Sequence, residues 1–314
     1  MKYLVNTCTD AQWNMAYDQF VLEQGPWEEP VFYLWQNAPS VIIGRNQSAY
    51  AEVNLPYLEE HGIALARRVT GGGAVYHDLG NLNYSIAGPV DQMDQAPFIL
   101  EKALQQLGVP ARRTGRNDIL VDGRKCSGYA KSLCGKRMMI HGTLLWDVDL
   151  EALTRALSVP GSKLEAAGVA SVRSRVANLR SYLPSLPDIL AFQDALQSLL
   201  AGADTAICLS PDQLAAIDLL ATEKFRSWDW IYGHSPATTF QSRRKFACGT
   251  VEAHYTLTHG VFSALRFTGD FLGGLPAEKL AARLLGCRPD DILREDIGRY
   301  FDQVSPEEFL QLFR

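Results

Sequence analysis

An Asp-Gly pair, Asp122-Gly123, separates two short extended runs at 118–121 and 124–128, and it constrains the fold locally to one arrangement. A two-residue connection of this type closes an antiparallel hairpin through a turn with positive φ at both positions. The register follows: Val121 opposes Arg124, Leu120 opposes Lys125, Ile119 opposes Cys126 and Asp118 opposes Ser127. Side chains alternate between faces, so Asp118, Leu120, Lys125 and Ser127 are expected on one face. Asp118 and Lys125 are then diagonal neighbours, roughly 7 to 8 Å apart at the backbone. That gap suits a metal-bound phosphate better than a direct salt bridge.

A carboxylate can hold Mg²⁺, and a fixed ammonium can neutralise an α-phosphate under attack. The pair therefore points to phosphoryl or nucleotidyl transfer. Residues 111–137 carry eight basic side chains against two acidic ones, within a chain whose formal charge is -5. No global basic field exists for nucleic acid, and any anion site is local. The plainer reading of the same residues is a solvated hairpin with charged edges.

A second signal is Arg67-Arg68-Val69-Thr70-Gly71-Gly72-Gly73-Ala74-Val75-Tyr76-His77-Asp78. Three adjacent glycines let backbone N–H groups converge on an anion, and the arginines add charge. The segment is neither a Walker A loop nor a dinucleotide fingerprint, since both spacings are absent. Its plainer reading is a tight turn between strands. His77 and His141 are candidate general bases, although no residue nearby in sequence supplies an orienting partner. The six cysteines are scattered without a C-x-x-C pair, so free thiols are expected. Cys126 or Cys134 with His141 is a conceivable thioester pair.

At 314 residues, with 47% hydrophobic and 21% charged side chains, the chain suits one large globular domain and a small one. Polar residues interrupt the N-terminus, and no window approaches about 20 apolar residues, so a cytoplasmic protein without membrane contact is expected. Periodicity predicts strands near 3–5, 31–35, 40–43, 63–66, 74–76, 82–86, 119–121 and 142–146, and helices over 10–22, 97–107, 150–157 and 189–200. Asp10 is placed to cap the first helix. Beyond an aromatic seam at 225–236, a strand pair (243–255 and 260–267) and a helix (277–285) make a small module. The fold class is α+β, without the regular alternation of a Rossmann sheet.

These blocks together resemble the lipoate-protein ligases with a C-terminal accessory domain. The resemblance rests on Leu34-Trp35, Ile43-Gly44-Arg45-Asn46-Gln47, the Arg67–Asp78 segment with Gly80-Asn81, Gly115-Arg116-Asn117-Asp118, Arg124-Lys125-Cys126-Ser127-Gly128, His141-Gly142-Thr143-Leu144-Leu145 and the 171–179 stretch. It implies a mixed-sheet catalytic domain like that of biotin and lipoate ligases over 1–232, and a small α+β domain over 233–314. It further implies ATP-dependent activation of lipoate or octanoate to lipoyl-AMP, then transfer to a lysine of apo lipoyl domains in 2-oxoacid dehydrogenase E2 subunits or the glycine-cleavage H protein. By the family pattern Lys125 is catalytic. Arg68, Gly73, Ala74, Val75, Tyr76 and Lys125 bind ATP; Lys125, Arg68, Gly72, His77 and His141 bind lipoate; and Asp118 with Asn117 holds Mg²⁺.

An apolar slot for the acyl chain is expected from Val41, Ile43, Leu65 and Val75, and the basic 130–137 segment is expected as a loop closing over the intermediate. Octanoate is expected as a second substrate, because burial dominates the binding of either tail. Three alternatives remain at this stage: an ATP-independent octanoyl or lipoyl transferase using a cysteine thioester, a nonenzymatic lipoate- or nucleotide-binding module, and a biotin ligase.

Overall fold

The computed structural model describes residues 1–25, 28–114, 117–157, 175–201 and 206–314. Gly115, Arg116 and residues 171–174 of the motifs above lie outside them. Contacts divide the chain into two compact units, Met1–Arg45 with Tyr57–Ser227, and Asn46–Pro56 with Trp228–Arg314.

The strands of the first unit are β1 (Lys2–Leu4), β2 (Val31–Trp35), β3 (Ser40–Ile43), β4 (Ala64–Arg67), β5 (Val75–His77), β6 (Asn81–Pro89), β7 (Arg112–Thr114), β8 (Asp118–Val121), β9 (Arg124–Cys134), β10 (Arg137–Leu145) and β11 (Ala206–Ile207). Eight of them form one mixed sheet in the order β11-β1-β2-β6-β10-β9-β8-β7, and β4-β3-β5 form a second, smaller sheet. Strand β2 is buried along its whole length, the mark of a strand covered on both faces. Phe32 and Leu34 join Leu82, Ile86, Ile140 and Leu144 in a core with Leu100, Leu104, Phe192 and Leu196 from the helices Ala96–Gln106 and Ile189–Leu200. Trp146 stacks on Phe192 at 4.9 Å between centroids.

The opposite face of the large sheet meets helix α1 (Ala11–Gln24). Asp10 Oδ1 caps it, accepting from the backbone N–H groups of Gln12 (2.9 Å) and Trp13 (3.0 Å). Met15, Ala16, Tyr17, Phe20 and Val21 are buried, and so are Asn14, Asp18 and Gln19. A helix enclosed on nearly every side explains why α1 has no clean apolar stripe.

Two expectations need correction, and one helix was missed. The 130–137 segment is no loop: it continues β9 and turns at Gly135 (φ +57°) into β10. A helix at Pro211–Leu220, closed by a Ser210–Gln213 capping box, was not foreseen. In the second unit, the run read as one strand at 243–255 is two, β12 (Thr238–Phe246) and β13 (Gly249–Thr258), which with β14 (Val261–Gly269) form a three-stranded sheet. The turn between β12 and β13 contains Ala247 and Cys248, which carry no turn chemistry; only Gly249, at φ +126°, marks it.

Val251, Ala253, Tyr255 and Leu257 alternate into the second unit's core, which is dense in aromatics: Phe262, Phe267, Phe301, Phe309 and Phe313. Tyr50, from the 46–56 segment, packs against that core, and its ring lies 5.5 Å from that of Tyr232. The chain is thus α+β, with mixed sheets and a separate C-terminal sheet domain. Among the described residues, no helix is long and apolar enough to cross a membrane.

Phe192 is fully buried on the helix side of the large sheet. Phe192→Ala is expected to cost about 3–5 kcal/mol, read as a lowered midpoint in chemical denaturation with an unchanged slope.

Candidate active site

A row of directly paired residues crosses five strands of the large sheet: Asp118 on β8, Gly128 on β9, Thr143 on β10, Asn83 on β6 and Trp35 on β2. Paired residues share a face, so this row floors the α1 side of the sheet. A cavity of about 170 Å³ lies over it, with Met15, Ile42, Gly72, Gly73, Ala74 and Val75 among its walls.

The hairpin register holds at the turn, where Val121 pairs with Arg124 and Leu120 with Lys125, and then slips. A bulge between Ile119 and Leu120 pairs Ile119 with Ser127 and Asp118 with Gly128. Cys126 and Ser127 both turn inward, at 0% and 1% exposure. The expected common face for Ser127 is therefore wrong, and Gly128 takes that place. Across this glycine the Lys125 side chain reaches Asp118: Nζ lies 2.7 Å from Oδ1, a direct ion pair where a gap had been expected. Lys125 folds over Gly128, where an added Cβ would stand 2.7 Å from both Cε and Nζ. The carbonyl of Lys125 accepts from the N–H of Ala177 at 2.9 Å, which fixes its backbone from the far side.

Arg68 organises the glycine segment. Its Nη2 donates to the carbonyls of Gly71 (2.8 Å) and Gly73 (2.7 Å), Nη1 to that of Ile42 (3.0 Å), and Nε to Thr70 Oγ1 (3.1 Å). A trans peptide sets its N–H opposite its C=O, so turning these carbonyls onto Arg68 aims the N–H groups of Gly72 and Ala74 the other way. Gly72 adopts φ +94°, open chiefly to glycine. Burial holds the Arg68 guanidinium near a pKa of about 10, still cationic at neutral pH. Among the described residues no carboxylate pairs with it.

The floor and α1 are tied by a buried network. Asp18 Oδ2 lies 2.5 Å from His141 Nδ1, and His141 Nε2 lies 2.7 Å from Thr70 Oγ1. Tyr33 OH and Ser85 Oγ donate to Asp18 Oδ1 at 2.5 and 3.0 Å, and Trp35 Nε1 donates to Ser85 Oγ at 3.0 Å. Burial, then the Asp18 charge, pushes the Tyr33 hydroxyl far up, so it stays a donor. A second network fixes His77. Asn14 Nδ2 donates to the carbonyls of Cys8 and Gln36 and to Asn37 Oδ1 (2.9 Å). Asn37 must then present its NH₂ to His77 Nδ1, 3.0 Å away, which leaves the proton on Nε2. Burial, with Arg68 and His141 adding to it, drops the His77 pKa to about 3, so the ring is neutral.

Of the residues singled out in the sequence, Arg68, Gly72, Gly73, Ala74, Val75, His77, Asn117, Lys125 and His141 all line the cavity. Asp118 reaches it through Lys125. Tyr76 does not line it: it is buried on the alternate face of β5, where its backbone pairs with Val41. Of the expected apolar slot only Val75 is present; Ile42, between Val41 and Ile43 on β3, faces the cavity instead. Both ring nitrogens of His141 are engaged within the protein. Asn117 Nδ2 donates to the Tyr129 carbonyl at 2.5 Å. Met15, Trp35, Asn83, Tyr129 and Thr143 were not singled out for the cavity; Met15 comes from α1, and the places of the other four follow from cross-strand pairing, which no local motif announces.

The unfolded chain takes up a proton on His77 near the ordinary value of 6.5, and the folded chain only near 3. Its contribution to stability is therefore complete above 6.5 and is lost as pH falls toward 3. His77→Gln is expected to lose less stability than the unaltered protein across that window, measured by denaturation at stepped pH.

Comparison with known proteins identifies the family of the chain. The model for the lipoyl protein ligase A/B catalytic domain matches residues 10–201, and that for the bacterial lipoate protein ligase C-terminus matches 235–313. Lipoate-protein ligase 1 of Staphylococcus aureus is 36% identical over 99% of each chain. The bipartite lipoate protein ligase of Thermoplasma acidophilum, solved in a study of its lipoylation system with the E2 lipoyl domain, superposes with a TM-score of 0.66 at 28% identity, covering 74% of this chain and 96% of that one. A lipoate-protein ligase A bound with ATP gives 0.63 at 28% identity, over 74% and 98%. On motif, sequence and fold together, the chain belongs to the lipoate-protein ligase family.

Proposed function

We propose that this chain joins lipoate or octanoate to ATP, forming the acyl-adenylate and pyrophosphate, and passes the acyl group to a lysine of an apo lipoyl domain. Acceptors of this kind are the E2 subunits of 2-oxoacid dehydrogenases and the glycine-cleavage H protein. The single observation that carries the reading is Lys125: an amine at one end of the paired row, folded onto Gly128, beside a glycine segment whose amides face away from Arg68.

In the first step a carboxylate oxygen attacks the α-phosphorus, the bond from phosphorus to the bridging oxygen breaks, and pyrophosphate leaves. Lys125 compensates charge on the acid and the α-phosphate, and the N–H groups of Gly72 and Ala74 supply fixed donors to the nucleotide. Such preorganised contacts contribute about 3 to 4 kcal/mol of barrier each, and holding both reactants in place supplies much of the rest. In the second step the acceptor amine attacks the acyl carbon, AMP departs, and a proton is released to solvent.

Asp118 and Asn117 fit Mg²⁺, which takes one or two protein oxygens and fills its shell from phosphates and water; among the described residues no cluster of three His, Cys, Asp or Glu offers a cage of its own. When bound, the ion neutralises phosphate charge. Arg68 supports the nucleotide through the loop it holds and through its charge, since its hydrogen bonds go to the protein. A thioester mechanism finds little support. No cysteine lines the cavity among the described residues, and burial pushes the Cys126 thiol up to about 12.

Intact-mass measurement of an apo lipoyl domain, incubated with the protein and lipoate, is expected to gain one lipoyl group only when ATP and Mg²⁺ are supplied. Modification without ATP from an acyl carrier thioester would overturn the reading. Lys125→Ala should depress adenylate formation by about 10²–10³-fold. Gly128→Ala leaves the amine in the chain but denies it its seat, and should lower kcat for adenylation about tenfold or more while the protein stays folded by circular dichroism.

A further inference from the structure

Two walls of the cavity carry polar atoms for which the protein provides no partner. His77 Nε2 and Asn83 Nδ2 are both buried and without a hydrogen bond, on residues that are 3% and 1% exposed. Both are donors. The Asn14–Asn37 relay puts the proton of His77 on Nε2, and Asn81 Nδ2 donates to Asn83 Oδ1 at 2.9 Å, which occupies the acceptor end of Asn83 and leaves its NH₂. Asn83 stands two strands from Gly128 along the row that floors the cavity, roughly 10 Å. A carboxylic acid held at Lys125 and extended along that row brings its far end to these donors.

What sits at that far end decides whether they are satisfied. An alkyl terminus strips water from both donors and returns no acceptor, the unfavourable half of the hydrogen-bond exchange. A 1,2-dithiolane offers two sulfurs, which are weak acceptors and polarizable. We propose that His77 and Asn83 form a specificity-determining donor pair for the sulfur-bearing end of the acyl substrate, so that this chain favours the dithiolane acid over a straight-chain acid of equal length. The inference rests on the ligase reading and assigns the far end of the same cavity.

The test compares kcat/KM for lipoate and octanoate in ATP-dependent modification of an apo lipoyl domain by the full chain. The unaltered protein is expected to favour lipoate by about tenfold or more, and Asn83→Leu, similar in size but without a donor, to shrink that ratio about tenfold. Equal values in the unaltered protein, or a ratio unmoved by the substitution, overturn the donor pair. Failure with both acids in the unaltered protein instead overturns the ligase reading. Should Asn83→Leu not fold, the unaltered protein decides alone. A higher kcat/KM for 6-thiaoctanoate than for octanoate supports the pair, and equality overturns it.

Discussion

The bulge that sets Cys126 and Ser127 together opposite Ile119 turns both side chains into the core and returns Lys125 and Gly128 to a common face. In an unbroken hairpin the residue after the next from Lys125 would share its face, and that residue, Ser127, carries a side chain. The insertion substitutes a glycine, and the amine can then lie flat across the sheet to reach Asp118 at 2.7 Å. Bulges re-aim side chains at the margins of sheets and beside active sites. Here one places a flexible four-carbon stem in a defined seat.

The large sheet divides its labour between its faces. Toward the helices it presents Phe32, Leu34, Leu82, Ile86, Ile140 and Leu144, which hold the unit together by burial. Toward α1 it presents Tyr33, Trp35, Asn83, Ser85, His141 and Thr143, an unusually polar set for a covered surface. Most of its polar atoms are matched to one another or to Asp18, which keeps desolvation affordable. His77 Nε2 and Asn83 Nδ2 lack a partner, as do Ser40 Oγ and Asn81 Oδ1 beside them, but of these four residues only His77 and Asn83 line the cavity.

Much of this was legible in the chain. The Asp-Gly turn announced the hairpin and its first two pairs correctly, and apolar runs located β2, β3 and β6. The slip at Ile119 was not legible, since Cys126 has the size and polarity of an ordinary inward residue and nothing in its type signals an insertion. The contacts of Arg68 were hidden for a different reason. Sequence reveals the charge and the adjacent glycines, but not that the guanidinium faces carbonyl oxygens. Asn83, Thr143 and Trp35 lie far apart in the chain and meet only through strand pairing. The Asn46–Pro56 segment likewise joins the second unit through tertiary packing of Tyr50, without any local change in composition.

The buried cation at Arg68, beside the likewise buried Arg67, carries a standing electrostatic cost. A guanidinium removed from water and matched only by carbonyl and hydroxyl dipoles is costly to keep, and no acidic side chain among the described residues settles the account. An incoming polyanion is its missing counter-charge. Occupancy and folding are therefore coupled: whatever delivers negative charge to that corner deepens the native well by mass action, and the protein is sturdiest while it is at work.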